Sequence, residues 1–93
     1  MIDGGTALVV DVRAPARYGA AHVAGAINIP LLELGRSASL LPKDKDRPIV
    51  CVCDVGNISA NGMLYLKSLG YSNVKSLSGG TSAWIRRGLP TEP

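Results

Sequence analysis

Phenylalanine is absent from this chain of 93 residues, and its aromatic side chains are confined to one Trp and three Tyr. The core must therefore be aliphatic, built from Val, Leu, Ile and Ala. Histidine is nearly absent too: His22 stands alone, beside only two cysteines, Cys51 and Cys53. A structural metal site needs three or four ligands of these types, so no metal is expected. Long hydrophobic runs are missing as well. No stretch approaches the roughly 18 apolar residues that span a bilayer, and no signal-peptide pattern is read at the start. Membrane contact by this segment is not expected.

Charge of one sign is also scarce. The net charge is +3, but Lys43, Lys45 and Arg47 alternate with Asp44 and Asp46 and largely cancel. Arg86-Arg87 is a basic pair near a predicted helix C-terminus, where the helix dipole favours it. A nucleic-acid surface needs a broader basic stripe with aromatics set into it, so nucleic acid is excluded as a partner. Cys51 and Cys53 lie two apart on a predicted strand and share a face. Their Cα atoms would sit about 6.5–7 Å apart, at or beyond the edge of disulfide geometry. Reduced thiols and a cytoplasmic setting follow.

What the chain does contain is short aliphatic runs punctuated by 11 Gly and 6 Pro. Ala7–Val12 is continuous and β-branched, as a strand covered on both faces should be. Pro15 starts a helical turn through Tyr18, and Gly19 releases it. Gly25–Ile29 reads as a short strand ended by Pro30. Leu31–Leu40 reads as a helix with Leu31, Leu34, Ala38 and Leu41 on one side, stopped by Pro42. Pro48–Cys53 is the third strand. Ala60–Leu69 is the clearest helix, with Gly62, Met63, Leu66 and Leu69 on one face and Gly70 at its C-terminus. Asn73–Leu77 is the fourth strand. Gly79-Gly80 then breaks the chain, and Thr81 caps a last helix that carries Trp84 and ends at Gly88. Such alternation predicts a parallel sheet with helices on both faces.

Within that order Cys53 holds a special place. It ends the third strand, and the turn Asp54-Val55-Gly56-Asn57-Ile58-Ser59 leads into the clearest helix. Open α/β sheets bind ligands at this carboxyl edge. A helix N-terminus offers unpaired N–H groups that favour a thiolate. Gly56 and Asn57 tolerate the left-handed backbone that would curl successive N–H groups into an anion nest. A buried strand cysteine before an ordinary loop is the plainer alternative.

The same residues resemble a known family, the rhodanese-like domains of single-domain sulfurtransferases. Asp11-Val12-Arg13 is similar to the family's first signature strand, and His22-Val23-Ala24-Gly25-Ala26-Ile27-Asn28-Ile29-Pro30 to its second motif. Cys53 through Ser59 matches the family's active loop in length, cysteine, glycine and serine. Leu69-Gly70-Tyr71, Val74, Leu77, Gly79-Gly80 and Trp84 resemble its closing motif. The resemblance implies a single three-layer α/β domain over residues 1–93. Its parallel central sheet has about four strands with helices on both faces. The family's usual leading strand and helix are missing before Asp11, where only Met1–Thr6 would stand, so an exposed sheet edge is expected.

The resemblance also implies a reaction that needs no cofactor. Cys53 would take a sulfane sulfur from thiosulfate or a persulfide and pass it to a small acceptor or a protein thiol. The persulfide would rest among the N–H groups of Asp54, Val55, Gly56, Asn57, Ile58 and Ser59. Asp11 and Arg13 would form a buried supporting pair, and His22 a hydrogen-bonding scaffold. Cys51 and Trp84 are read as core. Two residues depart from the family pattern: Asp54 and Ile58 stand where members often carry Arg. The loop therefore holds no cation, and the Asp54 carboxylate is expected to repel a small dianion. Phosphatase chemistry, which needs a loop Arg to grip phosphate, is disfavoured. The remaining alternatives are a non-catalytic binding or regulatory module and a sulfur carrier loaded by a protein partner.

Overall fold

The computed structural model describes residues 7–36 and 38–93. Met1–Thr6, Ser37 and the side chain of Ala38 lie outside the described residues. Four strands form a parallel sheet: β1 (Leu8–Asp11), β3 (Ile27–Asn28), β4 (Ile49–Val52) and β5 (Val74–Ser76), in the order β3-β1-β4-β5. β1 pairs with β4 from Leu8↔Ile49 to Asp11↔Val52. β4 pairs with β5 through Cys51↔Ser76, a register that matters for the site. Among the described residues β3 and β5 are the sheet edges.

The β-branched runs form the central strands because both faces are covered. One core joins Val10, Val12, Ile49, Cys51 and Cys53 to Leu34 and Leu66. The other joins Val9, Val50 and Val52 to Val23 and Ala26, with Tyr18, Leu77 and Trp84 packed against them. Alternate residues of β4 thus feed opposite layers, as the period of two requires. Helix α2 (Asn57–Ser68) and the 3-10 segment Leu31–Arg36 cover the first face. Helices α1 (Pro15–Ala20) and α3 (Gly80–Arg86) cover the second.

Several sequence expectations are corrected. The segment predicted as one helix over Leu31–Leu40 is two 3-10 pieces, Leu31–Arg36 and Ala38–Leu40. A Cβ built on Gly35 would lie 2.6 Å from the Tyr65 hydroxyl, so this glycine lets α2 approach closely. Glycine also weakens an α-helix interior, and 3-10 turns suit such short pieces. Gly19 lies inside α1 rather than ending it. Helix α2 begins at Asn57, not Ala60, and Leu69 is exposed rather than part of its buried face. Thr81 does not cap α3: the cap is Gly79, and the buried Thr81 hydroxyl has no hydrogen-bond partner. Trp84 is only half-buried, its indole N–H donating to the Pro90 carbonyl at 2.6 Å.

An antiparallel pair was not expected at all. β2 (His22–Val23) meets β6 (Thr91–Glu92), tying the chain's last residues back to the second motif. Glycine conformation matches its role at two places that matter. Gly70 takes φ 102° just after α2, and Gly56 takes φ 100° just before it.

Candidate functional site

Cys53 follows the last residue of β4, and its thiol faces the start of α2. The turn is tighter than the sequence suggested. Only Asp54, Val55 and Gly56 separate Cys53 from the helix, so Asn57, Ile58 and Ser59 form the first helical turn. Asn57 accordingly has no left-handed backbone; among the described residues every positive φ belongs to glycine. The Gly56 N–H donates to Sγ at 3.0 Å. Ser59 Oγ lies 3.4 Å from Sγ and Asn57 Oδ1 3.8 Å. Gly80 closes the cradle from the other side. A Cβ there would lie 2.6 Å from the Asp54 carbonyl carbon and oxygen and against the Cys53 carbonyl, so only glycine lets α3 pass so close.

The electrostatics of the two cysteines diverge. Burial by itself would raise the Cys53 pKa. Hydrogen bonds from the Ser59 hydroxyl and from the N–H groups of Ser59, Gly56 and Ile58 outweigh it and hold the thiol below its ordinary value. A thiolate at a helix N-terminus gains from the same donors. Cys51 has no such donors and is pushed up to about 12, first by burial and then by Cys53. Both cysteines are free and fully buried. Val55, in the turn, and Ile58, in the first turn of α2, are apolar and exposed.

Asp11 and Arg13 form a buried pair beside the turn that follows Cys53. Arg13 is buried and donates through Nε to both Asp11 carboxylate oxygens, and through Nη2 to Asp11 Oδ2 at 2.8 Å and the Ala21 carbonyl at 2.7 Å. Asp11, its side chain wholly buried, also accepts from the Arg13 N–H. The bidentate pair is the expected one, and its hydrogen bonds drive the Arg13 pKa further up. Asn28 donates to the Asp11 and Arg13 carbonyls, which pins this segment beside β3.

Asp54 corrects a sequence expectation. Its carboxylate is not a bare charge: Arg13 Nη1 reaches Oδ1 at 3.2 Å and Arg17 Nε reaches Oδ2 at 2.8 Å. The loop itself carries no cation, but α1 and the β1 end supply two. Arg17 was missed because an exposed arginine on a short helix gives no sequence signal. His22 stacks on Tyr18 with ring centroids 3.8 Å apart and bonds the Tyr18 carbonyl through Nδ1, while Nε2 lies 3.4 Å from Glu92. Its partners thus belong to α1 and β6. No cluster of metal-ligating side chains occurs among the described residues. No described helix is long and apolar enough to cross a membrane.

A parallel α/β sheet that presents a donor-lined cysteine between strand and helix defines a class, and comparison with known proteins narrows it. The Rhodanese-like domain model matches residues 1–87. The thiosulfate sulfurtransferase GlpE of Pseudomonas fluorescens is 41% identical over 86 residues, covering 92% of this chain and 76% of that protein. A sulfurtransferase of Allochromatium vinosum is 37% identical over 83 residues, covering 89% of this chain and 76% of that one. Among solved structures, rhodanese with anions from E. coli superposes with a TM-score of 0.78 at 33% identity, covering 92% of this chain and 96% of that one. The chain belongs to the rhodanese-like family.

Proposed function

We propose that this protein is a sulfurtransferase working through a persulfide on Cys53. The observation that carries the reading is the Cys53 cradle: a strand-end thiol, held below its ordinary pKa by the Gly56 N–H and the first turn of α2. In the first half-reaction the Cys53 thiolate attacks the outer sulfur of a donor such as thiosulfate. The new S–S bond forms as the old one breaks, and its electron pair leaves with sulfite. Cys53 is left as a persulfide anion, and charge balances. In the second, a thiophilic acceptor such as cyanide or a thiolate attacks the outer sulfur and returns the electron pair to Cys53. Splitting one transfer into two through a covalent intermediate is ordinary nucleophilic catalysis. The N–H groups that favour the thiolate are placed to favour the persulfide anion too.

No cofactor enters either step. Asp54 to Ser59 bind the persulfide, while Asp11, Arg13 and His22 hold the flank in place. Residues 1–93 act as one domain, and a small sulfur donor and acceptor or a protein thiol are the partners. The exposed Val55 and Ile58 at the loop favour a donor with an uncharged or protein-borne sulfur over a bare dianion. The full burial of Cys53 supports a second reading, a rhodanese-like module that binds without transferring sulfur. Incubation with thiosulfate, and separately with a persulfide donor, followed by intact-mass measurement, separates the two. One added sulfur localised to Cys53 is expected; no adduct with either donor leaves the binding module.

A further inference from the structure

The Ser59 hydroxyl faces more acceptors than it has protons. Its one proton can go to the Gly56 carbonyl at 3.3 Å, to Ser76 Oγ at 2.6 Å, or to the Cys53 sulfur at 3.4 Å. A carbonyl only accepts, and a thiolate only accepts. Ser76 is the one partner that can donate instead. If Ser59 donates to Ser76, no proton is left for the sulfur, and a thiolate faces an oxygen lone pair. If Ser76 donates to Ser59, the Ser59 proton is free to turn onto the sulfur when Cys53 ionises.

The site therefore depends on which way the short Ser59–Ser76 contact runs. Ser76 sits on β5, in register with Cys51, and is half-buried. Its hydroxyl has no other hydrogen-bond partner among the described residues. Donating to Ser59 satisfies it, and a full negative charge on sulfur draws the chain of hydroxyls the same way, each bond polarising the next.

We propose that Ser76 is a positioning residue: it donates to Ser59 and so turns the Ser59 hydroxyl proton onto the Cys53 thiolate. The proposal rests on the reading that Cys53 acts as a thiolate, and it adds a residue outside the loop to the machinery of that site. A merely structural Ser76 would tie α2 to β5 and affect stability alone.

The test is the pH profile of Cys53 alkylation by iodoacetamide, with the adduct located by peptide mass. Ser76→Ala should move the profile midpoint up by about half a pH unit, roughly a threefold loss of thiolate below the midpoint. Ser76→Thr should restore the wild-type midpoint. Ser76→Val, which has the shape of Thr without the hydroxyl, should shift it as Ala does; this pair decides the matter if Ser76→Ala folds poorly. Ser59→Ala should shift the midpoint further, and adding Ser76→Ala to it should change nothing more, because the two hydroxyls act in series. An unmoved midpoint in Ser76→Val, or shifts that add in the double variant, would overturn the proposal. Sulfur loading from thiosulfate is scored separately on the same variants. A midpoint shift without any loading removes the sulfur-transfer reading alone, whereas loading without a shift removes only the role of Ser76.

Discussion

Cys51, on β4, and Cys53, one residue past its end, face the same layer and are both closed off from solvent, yet their thiols are driven in opposite directions. Cys51 lies the deeper of the two, so burial pushes its thiol harder, yet burial alone would still raise Cys53 as well. Cys51 sits mid-strand, where the backbone is committed to the sheet on both sides, and its side chain lies in the apolar cluster with Val12, Ile49 and Leu66. Cys53 sits one step past the strand, where the sheet has ended and the donors of Gly56 and the α2 turn are unclaimed by any ladder. Desolvation raises both pKa values; only at Cys53 do hydrogen bonds to the charged form reverse it. Two residues of register separate this core thiol from the thiol proposed above as the nucleophile.

The strongest way to break that comparison is to remove each sulfur. Cys53→Ser should abolish sulfur loading completely. Cys51→Ser should load like the wild type but lose about 1–3 kcal/mol of stability in urea unfolding, because it leaves a hydroxyl without a partner in the core. Equal loading by both variants would show that the nucleophile has been misassigned.

Alkaline stability reads the Cys51 side of the comparison. A thiol whose folded pKa is raised contributes stability that is fully present below the unfolded value and is lost as pH rises through the folded one. For Cys51 the window runs from an ordinary 9.0 to about 12. At about 1.4 kcal/mol per pH unit, the loss approaches about 4 kcal/mol at its upper end. Cys51→Val should remove this component, so its stability should fall less steeply than the wild type's above pH 9.0. Cys53, with a depressed pKa, runs the other way: its contribution is present above the unfolded value and fades as pH falls through the folded one. Parallel wild-type and Cys51→Val curves from 9.0 to about 12 would refute the assignment.

Gly56→Ala sharpens the Cys53 side. At φ 100° a side chain is strained, and the added Cβ would meet the Gly79 nitrogen and the Leu77 oxygen at 3.4 Å. The backbone should shift and carry its N–H away from Sγ. Alkylation of Cys53 at neutral pH should fall about tenfold, with little change at a pH above the thiol's ordinary value, where ionisation no longer limits the rate. A uniform fall at every pH would point to lost access instead.

These contrasts bear on what a reader of the sequence could see. The strands β1 and β4 were legible because β-branched residues run without a polar break, and Cys53 was legible because that run stops at it. The Asp11–Arg13 pair was legible through its motif. Ser76 was not: it is a serine on a three-residue strand, and nothing local links it to Ser59, 17 residues earlier. Arg17 was hidden for a similar reason, since its partner Asp54 lies far along the chain. The β2–β6 pair has two residues on each side, too short for any periodicity to register. Local pattern shows where the sheet runs, while side-chain partners across elements depend on a register that only folding fixes.

Asp54 carries the smallest expected effect and the most informative one about substrate. From the sequence its carboxylate stood alone beside Cys53 and should repel both the thiolate and an approaching dianion. In the structure Arg13 and Arg17 each pair with it, so the charge is offset in place. The Arg17 pair is exposed and is worth no more than about 1 kcal/mol of stability. Asp54→Asn should therefore cost little in stability, since Arg13 keeps Asp11 and the Ala21 carbonyl. Its effect on substrate comes from the guanidinium it releases: the flank gains one net positive charge beside the loop. An interaction of about 1 kcal/mol with a dianion, after screening, corresponds to several-fold in kcat/KM for thiosulfate. An uncharged persulfide donor should change far less, and added salt should erase the difference. The measurement is kcat/KM for both donors in wild type and Asp54→Asn at low and high ionic strength. Equal gains for the two donors would mean that Asp54 acts on the Cys53 thiolate and does not select the substrate.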